Sequence, residues 1–184
     1  MNLVANKDNR IKGLVVGAFP GCGKTYVFRN QDKYDWSFSD SDSSQFKKYP
    51  GWEKEYVDAI EERIKTCDFV FIAQQSIVLQ ELRLRNIPFV TVLPNNTDEI
   101  DAKQRQLIKQ QWFGGFMLRD NSHIRDFNAW LKILIANYDE WTSIEHIMNE
   151  QKPNKYYLLN QDQYISDILE ELDKFRINIY EQRI

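Results

Sequence analysis

The stretch Leu14-Val15-Val16-Gly17-Ala18-Phe19-Pro20-Gly21-Cys22-Gly23-Lys24-Thr25 constrains this chain more than any other. A largely apolar run from Ile11 to Val16 reads as a buried strand, and a tight turn with Pro and Gly follows it. Gly23-Lys24-Thr25 then opens a helix-compatible segment, Tyr26-Val27-Phe28. Gly21 and Gly23 permit backbone angles that a Cβ forbids. Successive N–H groups can then turn inward as an anion nest, beside the positive end of the helix starting at Lys24. The pattern is A-x-x-x-x-G-K-T from Ala18 to Thr25, a P-loop spacing in which Ala18 stands where Gly is commoner. Ala18, Phe19, Pro20, Gly21, Cys22, Gly23, Lys24 and Thr25 form the expected nucleotide-binding set. Lys24 is placed to reach the β- and γ-phosphates, and the Thr25 hydroxyl to ligate Mg²⁺. The plainer alternative is a chance match in a loop that ends a strand. The apolar strand before it and the helical run after it argue against that.

A chain of 184 residues lies within the single-domain range and can bury a substantial core. A net charge of −3 provides no broad basic field for tracking along nucleic acid, though a local contact stays open. The two cysteines, Cys22 and Cys67, make no disulfide framework, so a reducing, cytoplasmic setting is expected. Met1 to Lys7 has no signal-peptide core, and no apolar run approaches membrane-spanning length.

Taken in order, the chain alternates strand and helix signals. A short helix to Asn30 precedes Tyr34 to Ser39, whose aromatic and polar residues alternate as in a strand. Asp40-Ser41-Asp42-Ser43-Ser44 follows as a polar run expected outside the core. Trp52 to Lys65 has helical spacing. Cys67 to Ala73 is a nearly continuous apolar run, as in a central parallel strand. A helix over Ser76 to Arg85 turns Ile77, Val78 and Leu82 inward, with Leu84 beside them. Ile87 to Leu93 is the next strand. A polar helix over Asp98 to Trp112 is expected to break at Gly114-Gly115. Ser122 to Tyr138 is periodic, with Ile124, Phe127, Leu131, Leu134 and Ile135 inward. A short helix carries Trp141, Ile144 and Met148, Tyr156 to Leu159 is a last strand, and a helix with Ile165, Ile168, Leu169 and Leu172 closes the chain. The expectation is one α/β domain, a three-layer P-loop NTPase fold with about five parallel strands. Its core spans about 11–93 and 155–184, and a lid and helical part spans about 97–150. Parallel strands with right-handed crossovers gather the Ala18–Thr25 loop, Asp40 to Asp42, Gln74-Gln75 and Asn95-Asn96 at one sheet edge.

A P-loop implies a nucleotide, not a reaction. Asp40-Ser41-Asp42 at that edge supplies the missing parts. One carboxylate, Asp40 first, holds Mg²⁺ with Thr25, and the other orients or deprotonates an acceptor. The alternative is a solvated turn with capping residues. The third strand ends Ile72-Ala73-Gln74-Gln75 without the acid that switch and motor ATPases place there, which argues against an ATP-hydrolysing machine.

Strand, P-loop, helix, strand and Asp-x-Asp together resemble the small P-loop kinases: the nucleoside monophosphate kinases and their shikimate and gluconate kinase relatives. Val16 to Thr25 followed by Ser39 to Ser44 also resembles small nucleotide-kinase-like proteins of bacteriophages that infect low-GC Gram-positive bacteria. The resemblance implies a phosphoryl transferase with Mg·ATP as donor and a mobile lid, acting in the host cytoplasm if phage-encoded. Lys24, Thr25, Asp40 and Asp42 occupy its motif positions. Where some of these kinases carry Asp-Gly-Phe-Pro-Arg after strand three, with that Arg on the acceptor phosphate, this chain reads Gln74-Gln75-Ser76. A lid arginine is sought among Arg105, Arg119 and Arg125, with Lys109 nearby. Arg119 and Arg105 come first and Gly114-Gly115 is the hinge; the alternative is an ordinary solvated helix face. Lys47 and Lys48 either meet an acceptor phosphate or are surface charge.

The remaining candidates have plainer readings beside them. Cys22 is either a reactive low-pKa thiol or a small filler. His123 and His146 lack metal-spaced neighbours. Trp52, Trp112, Trp130 and Trp141 read as core, Trp36 or Phe38 as a base-stacking platform, and Asn95-Asn96 as an adenine contact or a turn. The expected function is Mg·ATP-dependent phosphoryl transfer to a nucleotide or nucleoside-like acceptor, with a (deoxy)nucleoside monophosphate foremost. A hydroxyl on a polynucleotide or modified base, or nucleotide-binding regulation with little catalysis, is the alternative.

Overall fold

Val, Ile and Phe fill the central strand segments so completely that each must be covered on both faces, and the fold provides that cover. A computed structural model describes residues 12–41, 43, 46–118 and 126–181. The strands are β1 (Leu14–Ala18), β2 (Phe38–Asp40), β3 (Phe69–Ile72), β4 (Phe89–Pro94) and β5 (Lys155–Leu159). They form one sheet in the order β2-β3-β1-β4-β5. Every neighbouring pair is parallel, with Val16 opposite Phe71 on one side and Val90 on the other. The helices are α1 (Lys24–Arg29), α2 (Trp52–Arg63), α3 (Ser76–Leu84), α4 (Ala102–Leu118), α5 (Phe127–Trp141), α6 (Ile144–His146) and α7 (Leu169–Glu181).

Alternate residues of β1 face opposite ways. Leu14, Val16 and Ala18 join Val27 of α1, Trp112 and Phe116 of α4, Leu134 and Tyr138 of α5, and Leu169 and Leu172 of α7. Val15 joins Val57 and Ile60 of α2 and Val78, Leu79 and Leu82 of α3. Helices therefore cover both faces of an all-parallel sheet. No helix among the described residues is long and apolar enough to cross a membrane.

Several expectations change. The second strand begins only at Phe38, because Gln31–Lys33 form a 3-10 turn. The aromatic alternation before it reflects packing rather than pairing: Tyr34 meets Phe38 and Trp36 meets Phe69, both edge-on. Phe38 itself stacks on Phe69 and Phe71, each at 5.7 Å between ring centres. Each such pair adds about 0.5–1.5 kcal/mol beyond burial, enough to help hold a three-residue edge strand. The Asp40 carboxylate owes its position to this anchorage.

Gly114-Gly115 does not break α4, which runs through both to Leu118. The helix starts at Ala102 rather than Asp98, after Asp101 accepts the Gln104 amide at 2.9 Å. The described aromatic residues of the 97–150 segment lie in or against the same core cluster as the sheet. Ile77, Leu84 and Ile135, expected inward, are exposed. In α3 and α5 the inward positions belong instead to Leu79 and Tyr138. After α6 a π-helical turn over Ile147–Gln151 buries Ile147. Ile124 lies outside the described residues.

Candidate functional site

Because all five strands are parallel, their carboxyl ends share one edge, where open α/β sheets bind ligands. The Ala18–Thr25 loop leaves β1 at the middle of that edge. The Phe19 amide donates to Val92 O at 3.0 Å and the Cys22 amide to Phe19 O at 3.2 Å, which bends the loop tightly. Gly21 and Gly23 have φ of +90° and +98°, angles that a side chain resists, so the turn needs both glycines. A Cβ on Gly21 would also come within 2.6 Å of Trp112 Nε1.

Two outside contacts hold the loop. The Trp112 indole of α4 donates to Pro20 O, and the Ile165 amide, just before α7, donates to Cys22 O at 2.9 Å. Gly23 caps α1 without a side-chain bond, and the Gly21 and Gly23 amides donate to nothing among the described residues. The concave side thus presents main-chain N–H groups. Lys24 folds back along the loop, its Nζ donating to Ala18 O at 2.6 Å and Phe19 O at 3.5 Å. Beside it the Thr25 hydroxyl donates to Asp40 Oδ2 at 3.1 Å. Two residues 15 apart in sequence, on different elements, thus meet at one point.

Cys22 is a buried filler rather than a reactive thiol. Burial pushes its pKa up to about 12, outweighing the neighbouring Lys24 ammonium, which pulls it down.

Ser41 and Ser43, after β2, are held by the fold. The Ser41 amide extends the ladder to Phe71 O at 2.8 Å, and Tyr56 of α2 donates its hydroxyl to Ser41 O at 2.6 Å. Arg63 reaches the Ser41 hydroxyl, and Gln75 Nε2 reaches Ser43 Oγ at 2.8 Å. Ser41 and Ser43 are buried, contrary to the expectation that this run lies outside the core. Short polar side chains enter the interior here because α2 and the end of β3 satisfy them.

Gln74 explains the missing acid. Its Nε2 donates to Gly17 O and Val92 O, both at 3.3 Å, bridging the ends of β1 and β4. A carboxylate only accepts and could not make these bonds.

Other candidates lie elsewhere. Arg105 donates to Thr97 O at 2.9 Å and Ile100 O at 3.3 Å and pairs with Asp98 at 2.7 Å, tying down the loop before α4. Lys109 pairs with Asp139 at 2.9 Å. Lys48 lies 3.2 Å from the Trp52 ring centre and donates to Ser43 O, and Lys47 is exposed. Asn95 and Asn96 form a turn: Asn95 Oδ1 accepts from the Thr97 amide and hydroxyl, and Asn96 reaches Thr142 Oγ1 at 3.1 Å. Phe38 is stacked inside the core and is no platform for a base. His146 sits 3.8 Å from Glu140, and the described residues hold no cluster of three or more metal-binding side chains. Asp42, Arg119, Arg125 and His123 lie outside the described residues.

Sequence reasoning missed Trp112 as a loop contact. It also missed Asn160-Gln161-Asp162-Gln163 after β5, a short polar run at the same edge whose position resembles that of Asn95-Asn96. Among known proteins, no family model, curated protein or solved structure matches the chain.

Proposed function

We propose that this chain is a P-loop phosphotransferase. It would move the γ-phosphoryl group of a nucleoside triphosphate (ATP, by the resemblance to small kinases) to a nucleotide or nucleoside-like acceptor, foremost a (deoxy)nucleoside monophosphate. The reading is carried by one observation: the Thr25 hydroxyl and the Asp40 carboxylate meet at 3.1 Å beside a glycine-shaped loop that holds Lys24.

That pair fits Mg²⁺. Both groups are hard oxygen donors, and neighbouring ligands of an octahedral ion at its usual bond length lie about 3 Å apart. Thr25 and Asp40 would hold the ion, which would supply charge neutralisation for the transferred phosphoryl group. The loop amides hold the phosphate tail, and Lys24 exchanges its carbonyl partners for phosphate oxygens. The bond from the γ-phosphorus to the β-bridging oxygen breaks as the acceptor oxygen bonds to that phosphorus. A phosphate acceptor needs no base. An acceptor hydroxyl must give up its proton, and Asp42 is the carboxylate assigned to take it.

Asp40→Asn should keep triphosphate binding but lower acceptor-dependent ADP release at least about 100-fold, and Lys24→Ala should weaken binding itself. The assay is ADP release over nucleoside, nucleotide and DNA acceptors. Wild-type turnover in Asp40→Asn would overturn the reading. Gln74 and Gln75, standing where an acid or acceptor arginine is found in other P-loop proteins, favour a second reading: a nucleotide-binding regulator. Triphosphate binding without ADP release for any acceptor selects it.

A further inference from the structure

In a planar trans peptide unit the C=O and the N–H that follows it point in opposite directions. Whatever holds the Pro20 carbonyl therefore sets the direction of the Gly21 N–H, and the Cys22 carbonyl does the same for Gly23. Both carbonyls are held from outside the loop. The Trp112 indole N–H donates to Pro20 O, and the Ile165 main-chain N–H donates to Cys22 O at 2.9 Å. Trp112 and Ile165 are both buried, so each held carbonyl faces the core and the paired N–H turns away from it. We infer that Trp112 is a positioning residue whose indole N–H aims the Gly21 amide at a bound phosphate. The inference rests on the phosphate-loop reading above and deepens it.

The Pro20–Gly21 peptide unit needs such a hold. Flipping it changes only ψ of Pro20 and φ of Gly21, and glycine accepts φ of either sign. The observed φ of Gly21 is +90°. The flipped unit would turn a carbonyl oxygen toward the phosphate, where one acceptor meets another. The indole is itself fixed by its neighbours. Its ring centre lies 5.1 Å from that of Phe19, 5.2 Å from Tyr138 and 4.6 Å from Phe113, and it stacks on Phe116 at 5.8 Å. On the loop side, a Cβ at residue 21 would lie 2.6 Å from Nε1, so the close approach of the indole requires glycine there. Ile165 acts through its main chain, which no side-chain substitution removes. Trp112 is the hold that can be taken away.

The test removes the indole N–H and keeps an aromatic ring. Calorimetry measures binding of inorganic tripolyphosphate with Mg²⁺ to the wild type, Trp112→Phe and Trp130→Phe, at a temperature where all three are folded. Trp130 stacks on Phe116 at 4.8 Å in the same aromatic cluster but makes no hydrogen bond to the loop among the described residues. Trp112→Phe should bind at least ~10-fold more weakly, as expected for one lost hydrogen bond, and Trp130→Phe at the wild-type level. The Gly21 amide NMR signal should shift when tripolyphosphate is added to the wild type, and that shift should be lost in Trp112→Phe. If Trp112→Phe does not fold, benzothienylalanine at residue 112 makes the same comparison, because sulfur replaces the N–H at nearly unchanged shape. Wild-type affinity with an unchanged Gly21 shift in Trp112→Phe would overturn the inference. An equal loss in Trp130→Phe would overturn it too, since packing alone would then explain the effect. The phosphate-loop reading survives either result if the wild type binds tripolyphosphate and Lys24→Ala abolishes that binding. Failure of the wild type to bind tripolyphosphate would overturn both.

Discussion

Cys22 stands between opposed influences, and their sizes decide what it does. The Lys24 ammonium favours a thiolate, but complete burial disfavours one by more, and the pKa rises to about 12. The sign of the stability effect follows. In the unfolded chain the thiol ionises near its ordinary value of 9.0, while the folded chain keeps the proton until about pH 12. Above pH 9 the unfolded state binds fewer protons, so stability falls with rising pH across that window. One such group costs about 1 kcal/mol between pH 9 and 10. Tyr138 and Tyr157, raised by burial from 10.0, add to the fall as the pH approaches and passes 10. Urea midpoints at pH 8, 9 and 10 should decline in the wild type, with a smaller decline over the same range in Cys22→Ala. Equal declines would show that the thiol ionises alike in both states. At this scale the loop was legible in the sequence because its chemistry is local. Gly21, Gly23, Lys24 and Thr25 lie within a few residues, and Asp40 could be placed because a strand precedes it. The contacts of Gln111 and Asn160 were not legible, because Gln111 Oε1 accepts a main-chain N–H from 51 residues away and Asn160 Oδ1 the side-chain amide of Asn95, 65 residues away.

α4 shows how a local signal loses to packing. Two adjacent glycines cost a helix about 1 kcal/mol each relative to alanine, which is why the sequence suggests a break. Trp112 and Phe116 flank them at i and i+4, and both are buried among Phe113, Tyr138 and Trp130. Burying two large aromatic side chains outweighs the glycine cost. A Cβ at Gly114 would meet nothing within 4 Å. Gly114→Ala should therefore stabilise the protein by about 0.5–1 kcal/mol, raising Tm by roughly 1–4 °C for a chain of this size. A thermal melt checks it, and a lower Tm would mean that the glycine conformation is needed. The strands divide by the same logic. β3 and β4 were plain as apolar runs because both of their faces are covered. β2 was misread in length because Tyr34 and Trp36 imitate strand alternation while packing edge-on against Phe38 and Phe69.

The whole molecule separates chemistry from anchorage along the strand direction. The carboxyl edge carries the Ala18–Thr25 loop and Asp40. The amino edge is tied by an ionic cluster around the buried Arg176, whose carboxylate partners are half-buried. Arg176 of α7 pairs with Asp173 at 2.6 Å and Asp68 at 3.3 Å, and Asp68 accepts from the Ser37 amide and hydroxyl at 2.9 and 2.7 Å. One guanidinium thus joins the last helix to the ends of β2 and β3, while Tyr180 donates to Gly13 O at 3.1 Å beside β1. Removing one partner of a buried pair is costly because the remaining charge stays buried without compensation. Arg176→Met keeps most of the packing volume yet strands two carboxylates, so it should lower stability by about 3 kcal/mol. The denaturation midpoint should fall with an unchanged m-value. Because the cluster lies at the opposite edge from Lys24 and Thr25, tripolyphosphate affinity should stay at the wild-type level at temperatures where the variant is folded. A stability loss below about 1 kcal/mol would place the pair among exposed bridges of little worth. A loss of ligand affinity with the fold intact would instead show that α7 transmits its position to the Cys22 carbonyl through Ile165.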